Sequence, residues 1–193
     1  MTAPAGFDPR RLDVAAFARA AGAVQGQWPL SVMPRLLQDA LAPAREEAAA
    51  AVAWSARGLS KPVAGGEPEI RLQLRARTSL QLCCQRCLQP VEVPLDVQPT
   101  MRFVRGEQQA EALDEQSDED VLALTTALDL QQLIEDELIL ALPLVPRHEH
   151  CPRPLPMSAG QADAAAAQPP GHAFAALAAL RRGGGPGGQG QPG

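Results

Sequence analysis

The sequence has few of the aromatic side chains that base-stacking surfaces depend on. Its 193 residues include no Tyr, and aromatic residues make up only 3% of the chain. Little aromatic surface is therefore available to stack on unpaired bases, which argues against sequence-specific readout of single strands. The chain contains instead 19 Pro and 16 Gly, a composition that favours a small core with disordered segments.

Long apolar runs and an excess of positive charge are also missing. No run approaches the ~20 apolar residues needed to cross a bilayer, and no charged segment leads into an apolar one at the N-terminus. The net charge of -5 argues against non-specific binding of polyanions by the whole molecule. We therefore expect a cytoplasmic protein without a membrane partner, whose cysteines are reduced thiols or metal ligands.

Sequence signatures of catalysis are absent as well. The chain has no Gly-rich phosphate-binding loop, no His-Glu-x-x-His motif and no supported Ser/His/Asp arrangement. A dithiol redox motif leads from a strand into a helix, whereas Cys84-x-x-Cys87 leads into a second strand-like run. We predict no enzyme activity and no small-molecule substrate.

The clearest pattern in the chain is a pair of alternating runs, which is typical of strands with one buried face. Apolar and polar side chains alternate over residues 70–82 and again over residues 91–103. Pro94 and Pro99 cannot donate to a ladder, so we expect the second strand at an edge or with a bulge. With a weaker strand over residues 48–57, the prediction is an antiparallel meander of about three strands.

A helix is predicted to cover the apolar face of this meander. Asp129 can cap its first turn, and Pro143 ends it because the residue before a proline avoids the α region. The buried face follows helical spacing: Leu130, Leu133, Ile134, Leu138, Ala141 and Leu142. Shorter helices are expected from Pro9 and after Ser31. The predicted fold class is therefore α+β.

One α+β domain is expected over residues 8–151. Within it, residues 106–120 carry seven acidic side chains, no basic one and no apolar periodicity, which predicts a mobile acidic loop. Residues 152–193 are rich in Pro, Ala, Gly and Gln. They are interpreted as a linker, a short helix over 172–182 and a disordered tail.

Two charged sets are candidate contact surfaces. The first lies on the polar face of the strand over 70–82 and comprises Arg71, Arg75 and Arg77. These side chains could contact RNA phosphates, or they could simply keep the sheet soluble. The second is an acidic run on the predicted helix, Glu135, Asp136 and Glu137. It could dock a basic partner, or it could be a solvated helix face.

The cysteines and histidines allow one metal site. Cys84-x-x-Cys87 has the spacing of a zinc knuckle, and a structural zinc needs four ligands. No second close Cys pair exists, but Cys151 with either His148 or His150 could complete the set that Cys84 and Cys87 begin. One structural zinc would then join the two halves of a small core. Cys83 could replace Cys84 or face the core.

Together these motifs resemble the YceD family, the bacterial large ribosomal RNA subunit accumulation proteins. The resemblance rests on Cys84-Gln-Arg-Cys87 after an alternating strand, on residues 107–113 and on the late segment Phe174 to Leu180. Its most specific part is the run Glu135-Asp-Glu-Leu-Ile-Leu-Ala-Leu-Pro-Leu-Val-Pro146. Other branches of the family have a second Cys pair after this run, where the present chain has histidines and a single cysteine.

The resemblance implies a non-catalytic role in the synthesis, processing or stability of 23S ribosomal RNA. The implied partners are large-subunit ribosomal RNA or pre-ribosomal proteins. The alternative is a zinc-stabilised protein-interaction module that acts on ribosomal RNA only indirectly.

Overall fold

A computed structural model describes residues 6–38, 40–41 and 51–152. The α-helices in this part of the chain are α1 (Val14–Arg19), α2 (Glu107–Asp114) and α3 (Leu130–Leu140). The strands are β1 (Ala23–Pro29), β2 (Ala51–Lys61), β3 (Glu69–Cys83), β4 (Pro90–Val97), β5 (Thr100–Val104) and β6 (Val121–Ala123). The linker, helix and tail predicted beyond Pro152 lie outside the described residues.

The strands form one six-stranded sheet in which β3 is the longest and most central strand. The order is β1-β2-β3-β5-β6, and β4 also pairs with β3. All pairings are antiparallel except that of β5 with β6. The α+β class is confirmed, and the sheet extends beyond the predicted meander through β1 and β6.

The strand predicted over residues 91–103 is divided into β4 and β5. The second half of β3 pairs with β4, starting at Ala76↔Val97, whereas its first half pairs with β5, ending at Gln73↔Thr100. Pro99 lies at the break, where it has no N–H to donate but its carbonyl accepts from Leu74 N at 3.0 Å. The expected discontinuity is therefore present.

The core lies on one side of the sheet, as the alternation in β3 predicts. The buried side chains of β3 are Ile70, Leu72, Leu74, Ala76, Leu80 and Leu82. The predicted helix over this face is present as α3, with Leu130, Ile134 and Leu138 fully buried. Asp129 caps it as expected, because its carboxylate accepts from the backbone N–H groups of Gln131 and Gln132.

Two predictions about the N-terminal part are wrong. The first helix begins at Val14 rather than near Pro9, because Leu12 is held extended in an antiparallel bridge with Leu128. Asp13 then caps the helix by accepting from Ala16 N at 2.8 Å. No α-helix follows Ser31 among the residues that are described there. A 3-10 turn over Leu30–Val32 is present instead.

The prediction of a loop throughout residues 106–120 is also wrong, because α2 occupies Glu107–Asp114. Its Glu, Gln, Ala and Leu residues all have high helix propensity, which outweighs the missing apolar periodicity. Ala110 is buried, and the Asp114 carboxylate accepts from Val121 N at 2.8 Å. The acidic segment thus leads directly into β6.

Candidate metal centre and charged surfaces

The turn between β3 and β4 holds the first two cysteines of the candidate metal centre. Leu88 N donates to the Cys84 carbonyl at 2.8 Å, and Cys84 N donates to the Gln89 carbonyl at 3.0 Å. Leu88 closes the turn with a φ of 58°, in the left-handed region. The Cys84 and Cys87 side chains are both buried. This tight turn holds the two thiols together at one end of the sheet.

The chain that follows α3 crosses over this turn and supplies the other two candidate ligands. Gln85 N donates to the Pro146 carbonyl at 2.9 Å. The Arg86 guanidinium donates to the carbonyls of His148 and Glu149 at 3.0 and 3.2 Å. These hydrogen bonds fix the segment that carries His148 and Cys151.

Four side chains converge as a result: Cys84, Cys87, His148 and Cys151, whose ligand atoms all lie within 4.8 Å of one another. The Sγ atoms of Cys84 and Cys151 are 3.8 Å apart, and Cys87 Sγ is 3.4 Å from His148 Nδ1. A tetrahedral zinc with ordinary bond lengths needs ligand atoms about 3.5–3.8 Å apart. The donor set and these separations therefore fit a closed zinc site.

The orientation of His148 also suits a ligand. Its Nε2 lies 2.9 Å from the Pro90 carbonyl, which can only accept, so Nε2 carries the proton. In the neutral ring Nδ1 is then the nitrogen that can bind a metal, and it lies 3.4 Å from Cys87 Sγ. The alternative histidine, His150, is exposed and lies outside the cluster, as does Cys83.

The surroundings of the thiols shift their pKa values in different directions. Burial acts to raise the pKa of Cys84, but backbone hydrogen bonds from the turn and from His148 lower it to about 5. Burial raises the pKa of Cys87. Arg86 Nε donates to Cys151 Sγ at 3.0 Å, which places a positive charge beside the cluster. Sequence reasoning missed Arg86 because only the fold brings it to Cys151.

The three predicted RNA-contacting arginines all lie on the solvent side of β3, but their surroundings differ. Arg71 lies between two carboxylates, 3.3 Å from Glu69 and 2.8 Å from Glu119. Arg75 and Arg77 share one partner, Asp96 of β4, at 3.6 and 3.0 Å. Arg75 and Arg77 are therefore less fully neutralised than Arg71.

The acidic run on α3, interpreted from the sequence as either a docking surface or a solvated face, is not uniformly exposed. Glu135 is only 5% exposed, and its carboxylate accepts from the backbone N–H groups of Arg35 and Leu36 at 2.7 and 3.1 Å. The Arg35 guanidinium also binds Glu135 and Asp136. Burial raises the pKa of Glu137, with smaller effects from nearby carboxylates. Glu135 therefore anchors the segment after β1 and is not free to dock a partner.

No helix in the described ranges has the length and apolar character of a membrane span.

Comparison with known proteins gives the same family as the sequence motifs. Residues 72–181 match the family described as Large ribosomal RNA subunit accumulation protein YceD. The chain is 39% identical over 79 residues to the Large ribosomal RNA subunit accumulation protein YceD of Haemophilus influenzae.

The aligned part makes up 40% of the present chain and 45% of the Haemophilus influenzae protein, so the match spans a little under half of that relative. No solved structure matches the chain. The family match runs from near the start of β3 through the turn with Cys84 and Cys87, all of α3 and the metal cluster. Because it covers more than half of the sequence, the chain belongs to the YceD family of large ribosomal RNA subunit accumulation proteins.

Proposed function

We propose that this protein is a non-catalytic, cytoplasmic ribosome-biogenesis factor that is needed for the accumulation of 23S ribosomal RNA. Membership of the YceD family carries this proposal, since the family match includes the most distinctive elements of the fold. The protein would act in the synthesis, processing or stability of the RNA. Its partners would be large-subunit ribosomal RNA or pre-ribosomal proteins.

We further propose that Cys84, Cys87, His148 and Cys151 hold one structural zinc. The convergence of these four ligand atoms supports this, as does the hydrogen bond that fixes the tautomer of His148. When bound, the metal would tie the β3–β4 turn to the chain after α3. Arg86 would then offset the negative charge of three thiolates around one divalent ion.

The solvent side of the sheet is the proposed RNA-contacting surface. Arg75 and Arg77 are exposed there, and their shared partner Asp96 is itself 46% exposed. Exposed ion pairs of this kind contribute little, so phosphates can replace the carboxylate. Arg71, the third predicted contact, would have to release two carboxylates before binding RNA.

Depletion of the protein from cells tests the proposed function. The ratio of 23S to 16S ribosomal RNA should fall on depletion and recover when the wild-type chain is supplied from a plasmid. A plasmid that carries a stop codon in place of Leu12 controls for the vector. An unchanged ratio in depleted cells would rule out a role in accumulation.

A protein-interaction module is the second candidate, and exposed apolar side chains near the metal cluster favour it. Leu140 is the last residue of α3, and Leu144 and Val145 lie just beyond it; these side chains are 80%, 101% and 57% exposed. An apolar contact through them would tolerate salt, whereas phosphate contacts weaken steeply with salt. Ribosomal RNA that stays with the purified protein at high salt would favour this module.

A further inference from the structure

A groove crosses the solvent side of the sheet over β1, β2 and β3. It consists of two adjoining cavities of about 520 and 400 Å³, which share Gln25, Ser55 and Arg75 in their walls. The floor is low because small side chains, Ala53 and Ser55, occupy β2 there. None of the described residues that line either cavity is acidic. The groove is thus a basic surface on a protein whose net charge is -5.

Three arginines follow the groove. Ser55 is directly opposite Arg75 and Arg57 is opposite Gln73, so Arg57 is the diagonal neighbour of Arg75 across β2 and β3. Arg75 and Arg77 are two residues apart on the same face of β3, which separates them by about 7 Å. The Arg75 and Arg77 side chains converge on the same oxygen of Asp96, at 3.6 and 3.0 Å, and Arg57 lies diagonally across from Arg75.

These arginines are available to a polyanion. Among the described residues, no carboxylate lies within ion-pair distance of Arg57, which is exposed. Among the described residues, Arg75 and Arg77 form ion pairs only with Asp96. The side chains of Arg75, Arg77 and Asp96 are each about half exposed. Such pairs contribute little to stability, so a phosphate oxygen can displace the carboxylate.

The remaining side chains suit a ribose-phosphate chain better than a peptide. Gln25, Gln27 and Gln73 present amides that can both donate to and accept from ribose hydroxyls. Trp54 borders the groove, but its ring is buried and stacked on Trp28 at 4.3 Å, so it is not free to stack on a base. Three neighbouring strands span roughly 10 Å, which is narrow for a duplex but wide enough for one strand.

We propose that this groove binds the phosphodiester backbone of a single-stranded RNA segment, with Arg57, Arg75 and Arg77 contacting its phosphates. Asp96 competes with the phosphates for Arg75 and Arg77 and so limits the affinity. This inference rests on the proposed function in ribosomal RNA accumulation, and it locates the contact. Binding is independent of sequence because the contacts reach the backbone and not the base edges.

Fluorescence anisotropy of the full chain with a labelled oligouridylate tests the groove. The probe should be about 12 nucleotides long, within the range bound by single-strand-binding folds. Three phosphate contacts predict that log Kd rises with log salt with a slope of about 2, and each lost contact removes about 0.7. At ~0.1 M salt the same slope implies about a fivefold loss of affinity for each arginine removed.

Matched variants distinguish RNA binding in the groove from a general effect of the protein's charge. Arg57→Gln, Arg75→Gln and Arg77→Gln should each weaken binding, whereas Asp96→Asn should strengthen it. Arg71→Gln is the control, because it removes the same charge from the same face of β3 but from a side chain held by Glu69 and Glu119. Its Kd should change by less than about twofold. Thermal melts of all the variants confirm that the sheet is intact.

Several outcomes would overturn the groove. Equal weakening by Arg71→Gln and Arg75→Gln would show that only overall charge matters. Tight binding by the triple variant, lacking Arg57, Arg75 and Arg77, would place the RNA elsewhere on the protein. If wild-type protein binds no oligouridylate while depletion still lowers 23S RNA, the RNA-binding role of the groove is refuted and the proposed function is supported. If depletion leaves 23S RNA unchanged while the groove variants lose binding, the proposed function is refuted and the RNA-binding role of the groove is supported.

Discussion

Glu135→Ala tests the most unexpected contact in the fold, the anchoring of the segment after β1 by a buried carboxylate of α3. Glu135 accepts from Arg35 N and Leu36 N, and the Leu36 side chain is fully buried beside it. Truncation to alanine leaves both backbone donors without an acceptor. A buried donor without a partner costs about 1–3 kcal/mol, so we expect the free energy of unfolding to fall by about 2–4 kcal/mol.

Urea unfolding followed by the fluorescence of Trp28 and Trp54 measures this loss. With an m value of about 2 kcal/mol/M, the midpoint should fall by roughly 1–2 M. Glu135→Gln retains one side-chain carbonyl that can accept, so its loss should be smaller, about 1 kcal/mol. Asp136→Ala is the control. It also binds Arg35 but is 44% exposed, so its effect should stay within about 0.5 kcal/mol. A Glu135→Ala variant as stable as Asp136→Ala would refute the anchoring role.

The remaining predictions concern the core, the metal and one carboxyl group. Leu138→Ala should lower the free energy of unfolding by about 2–5 kcal/mol, because Leu138 is fully buried on the inner face of α3. A loss below about 1 kcal/mol would contradict its place in the core. Elemental analysis should find about one zinc per chain in protein purified without chelator. The Cys84→Ser variant should contain no zinc, whereas the Cys83→Ser variant should still contain it. Wild-type protein that has intact thiols but no metal would contradict the proposed site. Glu137→Gln should raise the melting temperature at neutral pH, because the raised pKa means that ionisation of Glu137 costs the folded state free energy. This gain should vanish below the ordinary pKa of 4.5, where the carboxyl is protonated in both states, and a gain that persists there would contradict the assignment.

The sequence was sufficient to predict the elements whose signals are local. The alternation along β3 and the helical spacing of α3 each identify a buried face, and Asp129 marks a helix start through its own side chain. The metal cluster could also be predicted from the sequence, because a zinc site needs four ligands and the chain contains few candidates. The sequence could not indicate His148 rather than His150, because that choice depends on a hydrogen bond to the Pro90 carbonyl.

The misjudged features depend on partners far away in the chain. Arg35 and Glu135 are separated by 100 residues, so nothing near Glu135 in the sequence indicates that a cation and two backbone N–H groups will surround it. The parallel pairing of β6 with β5 is likewise invisible in a strand of three residues. The position of Arg57 beside Arg75 likewise depends on the register of β2 against β3, which the sequence does not indicate.

Direct contact between this protein and large-subunit ribosomal RNA is tested most directly by ultraviolet crosslinking in cells, followed by sequencing of the bound RNA. Fragments of 23S RNA should be enriched over 16S RNA relative to their ratio in total RNA. The total yield of crosslinked RNA should fall in the triple variant, in which Arg57, Arg75 and Arg77 are replaced by Gln, and should be kept in Arg71→Gln. Recovery of the two RNAs in proportion to their abundance, with or without the groove arginines, would contradict the account.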